Sequence, residues 1–306
     1  MPEDIAYLNT RIINGDHPHA PTMANVPNNV AYAVYQNLDR TAINNGIFAK
    51  HIKRMHSSDK SMPIPKHTLI IRLDHMTWKT NGKPLGAHAR HTIWPNCKDT
   101  DVTTGGKNKK FVDSFLKLYH SIPLMYTENT DVANGQANGT LCYLVHVHLR
   151  EDVTEDDFQL MNIDGVWVRT IDASNVDYLL CGFADSNQTF KVYAQTSLCQ
   201  IDMPIELILG MKKRHIVNAH MNRFPVLLNN CTTGHKLQGQ TKESLFISAW
   251  FYGKNWSYVV LSRVKQLSGL FLCTGIESKH DFSLDPRLVQ MLAHLRRKQP
   301  EPHKTE

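Results

Sequence analysis

The sequence predicts an α/β fold, a parallel-sheet domain interrupted by a small, mostly β domain. Three observations predict it. Residues 30–35 alternate and are β-prone, and an amphipathic stretch over 39–55 follows, making the strand-then-helix unit of a parallel sheet. Between 137 and 210, β-prone stretches recur at short intervals separated by polar turns, the pattern of a small barrel or sandwich. Beyond 211, short apolar runs and a helical stretch restore the α/β character.

The chain opens with a predicted helix over 2–13. Pro2 suits its first turn, Glu3 and Asp4 complement the helix dipole there, and Ile5, Leu8 and Ile12 share a face. Residues 14–29 are rich in Pro, Asn and Gly and read as loop. In the helix over 39–55, Ile43, Ile47, Phe48, Ile52 and Met55 lie on one side. The stretch 57–110 is poorly patterned, as expected of a partly irregular insertion, with one strand near 69–73. Residues 111–120 read as helix or turn, and 122–126 as a strand. Asn134-Gly135 and Asn138-Gly139 supply the positive φ of tight turns. Strands are expected over 141–149, 166–171, 178–183 and 190–194. Trp167, Tyr178, Phe183 and Tyr193 are expected to fill the interior of this β domain, although such rings can also stack bases. Residues 224–228 and 245–249 read as buried strands, 256–265 as a helix and 270–272 as a strand. A terminal helix over 288–297 places Leu288, Met291, Leu292 and Leu295 on one face, and the tail 299–306 is polar and expected to fray.

Composition narrows the function classes. Hydrophobic residues are 42% and charged residues 20% of the 306, which excludes a disordered chain. A formal net charge of +6 is compatible with a phosphate-rich partner. The six cysteines are widely spread with no C-x-x-C pair, against both a disulfide scaffold and a zinc ribbon. The opening Met-Pro-Glu-Asp lacks a basic, then apolar, stretch, so no signal peptide is expected, and no run reaches the ~18 apolar residues of a membrane span. Among 17 histidines, His146 and His148 share a predicted strand face, but no Cys or acid completes a ligand set, so no metal site is expected.

Two stretches near the C-terminus carry chemistry. Thr232-Thr-Gly-His-Lys-Leu-Gln-Gly-Gln-Thr241 places hydroxyls, amides and a cation in a loop after a predicted buried strand. In open α/β sheets, ligands bind outside the carboxyl ends of the strands. Lys236 as a point charge, with Thr232, Thr233 and Gln238 as neutral donors, suits phosphate oxygens; a polar surface turn is the other reading. The second stretch is Tyr258-Val-Val-Leu-Ser-Arg-Val-Lys-Gln-Leu-Ser-Gly-Leu270. A phosphate-binding loop requires G-x-x-x-x-G-K-[ST]. Gly82-Lys83, Gly106-Lys107 and Gly253-Lys254 are followed by Pro84, Asn108 and Asn255, so none qualifies.

The two stretches resemble motifs V and VI of the Pif/RecD branch of superfamily-one DNA helicases. Ile122-Pro-Leu-Met-Tyr-Thr-Glu-Asn129 with Asn138-Gly-Thr140, Asn37-x-x-Arg40-x-x-x-Asn44, and Asp4-Ile-x-x-Leu-Asn-x-Arg11 resemble that branch's upstream segments, in the right order. The Gly-His-Lys-Leu-Gln-Gly-Gln-Thr variant looks most like Pif-type helicases related to Helitron transposons. The resemblance implies a RecA-like parallel-sheet domain interrupted by a small β-barrel, the C-terminal part of an ATP-dependent motor. It implies a connector over 1–28, the second motor domain over 29–136 and 211–298, the barrel over 137–210 and a disordered tail over 299–306. Arg263 is implied as the catalytic arginine that reaches the γ-phosphate, with Ser262 orienting it; such a guanidinium is worth roughly 10³–10⁵ in rate. Gln238 and Gly239 are implied as nucleotide-coupling residues, and Thr232, Thr233, His235, Lys236 and Thr241 as DNA-binding ones. In the intact family ATP and Mg²⁺ sit between two motor domains. Without the phosphate loop this chain is expected to bind neither alone and to need a separate ATP-binding half. Single-stranded or forked DNA is the implied partner, with nuclear localisation and roles in DNA repair and recombination. The alternative is a non-catalytic nucleic-acid-binding or regulatory remnant of a helicase or transposon.

Overall fold

The computed structural model describes residues 2–58, 68–72, 77–80, 83–84, 102–104, 110–112, 115–204, 214–253, 255–277 and 290. In chain order these form α1 (Pro2–Asn9), β1 (Ala31–Val34), α2 (Asn37–Ser58), β2 (Thr68–Arg72), β3 (Thr77–Thr80), β4 (Lys83–Pro84), β5 (Val102–Thr104) and β6 (Lys110–Val112). Next come β7 (Phe115–Tyr119), β8 (Pro123–Tyr126), β9 (Leu141–Leu149), β10 (Gln159–Ile163), β11 (Val166–Asp172), β12 (Val176–Phe183) and β13 (Thr189–Tyr193). The last are β14 (Gln195–Pro204), β15 (Arg214–Arg223), β16 (Val226–Leu228), β17 (Cys231–Thr233), β18 (Leu245–Ile247), α3 (Trp256–Leu261) and β19 (Leu270–Leu272). The chain divides into two compact units, Met1–Tyr35 with Thr232–Glu306, and Gln36–Cys231.

The first unit is built on a four-stranded sheet in the order β17-β1-β18-β19. β1 runs parallel to β18, pairing Ala31 with Leu245, and β18 runs parallel to β19, pairing Leu245 with Leu270. Parallel strands covered on both faces read as unbroken apolar runs, which is why Leu-Phe-Ile and Leu-Phe-Leu are buried throughout. One face packs Ala33, Leu245, Ile247, Leu270 and Leu272 against Leu237, Trp256 and Val260. The other packs Val30, Phe246 and Phe271 together. Arg11 follows α1 and ties it to the sheet, donating to the carbonyls of Leu270 at 3.1 Å and Ser268 at 3.0 Å.

The second unit carries three sheets. One has five strands, β13-β12-β9-β8-β16, and another six, β4-β3-β15-β14-β5-β6. The third is β10-β11-β2-β7, with β2 parallel to β11 and antiparallel to β7. Leu118, Ile122, Leu124, Ile171, Leu179 and Cys181 form the heart of the main core. On α2, Phe48 and Ile52 pack against Val166 and Val168 of β11. Asn44 of α2 is buried and clamps Cys231 from both sides: its amide donates to the Cys231 carbonyl at 3.2 Å and its oxygen accepts from the Cys231 N–H at 2.9 Å.

Several expectations hold, among them both Asn-Gly turns, where Gly135 has φ 82° and Gly139 φ 100°. Others are corrected. Residues 115–119 are a strand and not a helix, because burial alternates along Phe115–Tyr119, with Leu116 and Leu118 inward. The strand at 226–228 pairs antiparallel with β8 and belongs to the five-stranded sheet, so the 232–241 loop leaves a separate strand, β17. The helix expected to reach 265 ends at Leu261. Trp167 and Tyr193 are exposed and not interior, because the strand period turns Val166 and Val168, and Phe190 and Val192, to the core instead. The helix expected over 288–297, apart from residue 290, and the tail over 299–306 lie outside the described residues.

Candidate functional site

β17 delivers Thr232, which is buried, into a short 3-10 turn, Gly234–Leu237. Leu237 is fully buried and anchors the turn in the core. Gly234 permits the close approach: a Cβ there would lie 2.5 Å from the Trp256 indole nitrogen. The Gln240 amide donates back to the Lys236 carbonyl at 2.6 Å, and Gly239 adopts φ 79°, a left-handed conformation that favours glycine. His235, Gln238 and Thr241 are exposed.

The far end of this loop is fastened to the second motif. The Lys242 N–H donates to the Arg263 carbonyl at 2.7 Å, and the Lys265 N–H donates to the Lys242 carbonyl at 3.1 Å. Lys242 and Val264 thereby form a parallel bridge, with an ion pair between Lys265 and Glu243 beside it. Burial lowers the Lys242 pKa. Arg263 sits just beyond the C-terminal end of α3, where carbonyls lack helical partners. Its Nε donates to the Val259 carbonyl at 3.0 Å, and its Nη2 donates to the Ser262 hydroxyl oxygen at 2.8 Å. Its guanidinium therefore caps its own helix in this conformation, held by Ser262.

A pocket of about 400 Å³ opens beside the turn. Gly234, His235 and Gln238 contribute to its wall, with Tyr35, Phe251 and Trp256. The Tyr35 and Phe251 rings stack with centroids 3.3 Å apart. Of the residues singled out in the sequence, His235 and Gln238 meet here. Thr232 is buried in its strand, Thr241 lies farther along the loop, and Arg263 follows α3. Sequence reasoning missed Tyr35, Phe251 and Trp256. The crowding of Trp250, Phe251 and Tyr252 ahead of α3, with Trp256 at its start, is the signal that could have found Phe251 and Trp256.

Among the described residues no group of three His, Cys, Asp or Glu side chains is placed to hold a metal ion. His148 instead stacks on Tyr178, with centroids 4.5 Å apart.

No family model matches the sequence, and no curated protein matches it. Solved structures do. Bacteroides Pif1 bound to ssDNA matches with TM-score 0.50 and 14% identity, over 97% of this chain and 50% of that one. Bacteroides Pif1 with ADP-AlF3 and ssDNA matches with TM-score 0.50 and 14% identity, over 97% and 51%. A structure of two coordinating Pif1 helicases at forked dsDNA matches with TM-score 0.52 and 15% identity, over 97% and 48%. This chain thus spans about half the length of the Pif1 helicases it matches. At such identity the likeness shows a shared fold: a RecA-like parallel sheet accompanied by antiparallel sheets.

Proposed function

We propose that the chain forms the C-terminal part of a Pif1-type DNA helicase of the Helitron-like variety. On this reading Met1–Tyr35 with Thr232–Glu306 contribute the parallel sheet of the second motor domain. The strands over 137–210 contribute the inserted β-barrel. Single-stranded or forked DNA runs past Thr233, His235, Lys236 and Thr241, whereas Thr232, expected with them, is buried and supports the strand instead. Gln238 and Gly239 couple that grip to the nucleotide, and Arg263 meets its γ-phosphate. The observation that carries the reading is the bridge between Lys242 and Val264, which makes the end of the loop and the backbone of Arg263 one rigid piece. A displacement of the Arg263 backbone is then passed to the end of the loop, the kind of coupling a motor requires.

The ATP and Mg²⁺ cradle lies outside this sequence, which has no G-x-x-x-x-G-K-[ST] run. The purified chain is expected to show no DNA-stimulated ATP hydrolysis. Adding a phosphate-loop half in trans is expected to restore it, and Arg263→Ala to lower the restored rate by roughly 10³–10⁵. Turnover by the isolated chain, abolished by Arg263→Ala, would overturn the division of labour.

The capping of Val259 by Arg263 favours a second reading, a non-catalytic nucleic-acid-binding module. Salt-dependent DNA binding in a mixture that never gains hydrolysis would favour that one.

A further inference from the structure

The pocket beside the 232–241 loop has a composition that phosphate contacts leave unexplained. Tyr35, Phe251 and Trp256 line it with rings. His235, Gln238 and Asn255 contribute its polar side chains, all exposed and none hydrogen-bonded through its side chain among the described residues. No described lining residue carries a carboxylate, an ammonium or a guanidinium, so the pocket suits a neutral, planar, polar-edged group. A second observation points the same way. Trp256 is 3% exposed, and its indole N–H has no acceptor among the described residues. Buried donors are nearly always paired.

We infer that this pocket receives one nucleobase, turned out of a single strand whose backbone follows the adjacent loop. A base offers a face to Tyr35 and a donor–acceptor edge to the Gln238 and Asn255 amides and the His235 imidazole. Trp256 supplies the floor beneath Gly234, whose missing Cβ lets the turn lie directly on the indole. The pocket volume of about 400 Å³ lies within the ~300–1,000 Å³ of small-ligand clefts. The inference rests on the DNA-facing reading of the loop, and it adds base contact to a surface otherwise argued only from phosphate chemistry.

The test measures the full chain, by fluorescence anisotropy, against a thymidylate dodecamer and a fully abasic dodecamer of equal charge. The thymidylate strand is expected to bind about 5- to 150-fold tighter, the worth of one stacked base. Tyr35→Ser is expected to erase most of that difference while leaving abasic affinity and salt slope unchanged, and Tyr35→Phe to keep it. Competition by thymidine monophosphate at the affinity of the dodecamer would overturn the assignment to a strand and give the pocket to a free nucleotide. Equal affinity for the two dodecamers, or equal weakening of both by Tyr35→Ser, would overturn it. The reading of the loop fails separately: base-dependent binding without salt dependence would sink phosphate contact and leave the pocket standing.

Discussion

Gly234 and Gly239 stand five residues apart and are glycines for different reasons. At Gly239 there is open space around the missing Cβ, and the constraint is the left-handed φ of 79°. At Gly234 the backbone is ordinary and the constraint is the indole of Trp256. Gly239→Ala is therefore expected to cost about 1–2 kcal/mol, the price of that conformation for an L-residue. Gly234→Ala overpacks a buried contact and is expected to cost about 1–3 kcal/mol. The two are separable by a double-mutant cycle in urea. Trp256→Phe should couple strongly with Gly234→Ala and add independently to Gly239→Ala. Independent addition at both glycines would show that the turn is not seated on the indole. Asn44 is a residue of the same kind, since it satisfies both backbone groups of buried Cys231 and no smaller side chain does so.

At the scale of one element, β11 divides its residues between core and solvent. Ile171 is 2% exposed and Trp167 is 49% exposed. Ile171→Ala is expected to cost about 2–5 kcal/mol, and Trp167→Thr to stay within about 0.5 kcal/mol. Urea midpoints decide it: a large loss at Trp167 would mean that the strand's outward face is packed. This division was not legible in the sequence, where a large ring in a small β domain reads as core. The strands over 141–149 and 178–183 were legible because branched and aromatic residues dominate them. β14 and β15 were not: Gln-Thr-Ser-Leu-Cys-Gln and Arg-His-Ile-Val-Asn-Ala-His alternate too weakly to announce ten-residue strands that pair along their whole length. β7 was missed because its alternation, Leu116 and Leu118 inward about Lys117, spans only five residues and takes its meaning from β2, more than forty positions earlier. Of the candidate site, the loop was legible because glycine, amide and cation chemistry is local. The ring wall was not, because Tyr35 and Phe251 follow β1 and β18 and stack only once those two strands pair.

The molecule as a whole has an uneven response to alkali. Cys181, Cys231, Tyr119 and Cys273 all have pKa values raised by the fold. For Cys181 the leading cause is its hydrogen bond to Cys142, with burial second. For Cys231, Tyr119 and Cys273 burial leads, and it pushes Cys231 up to about 12. A raised acid pKa means that the folded chain keeps a proton the unfolded chain releases. For the thiols, stability is then full below their ordinary value of 9.0 and falls as pH rises above it; for Tyr119 the fall begins above its ordinary 10.0. Lys242 acts in the opposite sense. Burial lowers its pKa, so the unfolded chain holds the proton more tightly and stability grows as pH rises toward 10.5. Cys181, Cys231 and Tyr119 lie in the unit Gln36–Cys231, whereas Cys273 and Lys242 share the other unit and partly offset each other. Between about pH 8 and about pH 10 the unit Gln36–Cys231 is therefore expected to loosen first. Limited proteolysis at the two pH values, with cleavage sites mapped by mass spectrometry, reads this directly. New cuts should accumulate within 115–204 before they reach β18 or β19, and Cys231→Ala should delay them. Cuts in β18 and β19 that come first would mean that the thiols of Cys181 and Cys231 do not set the alkaline limit.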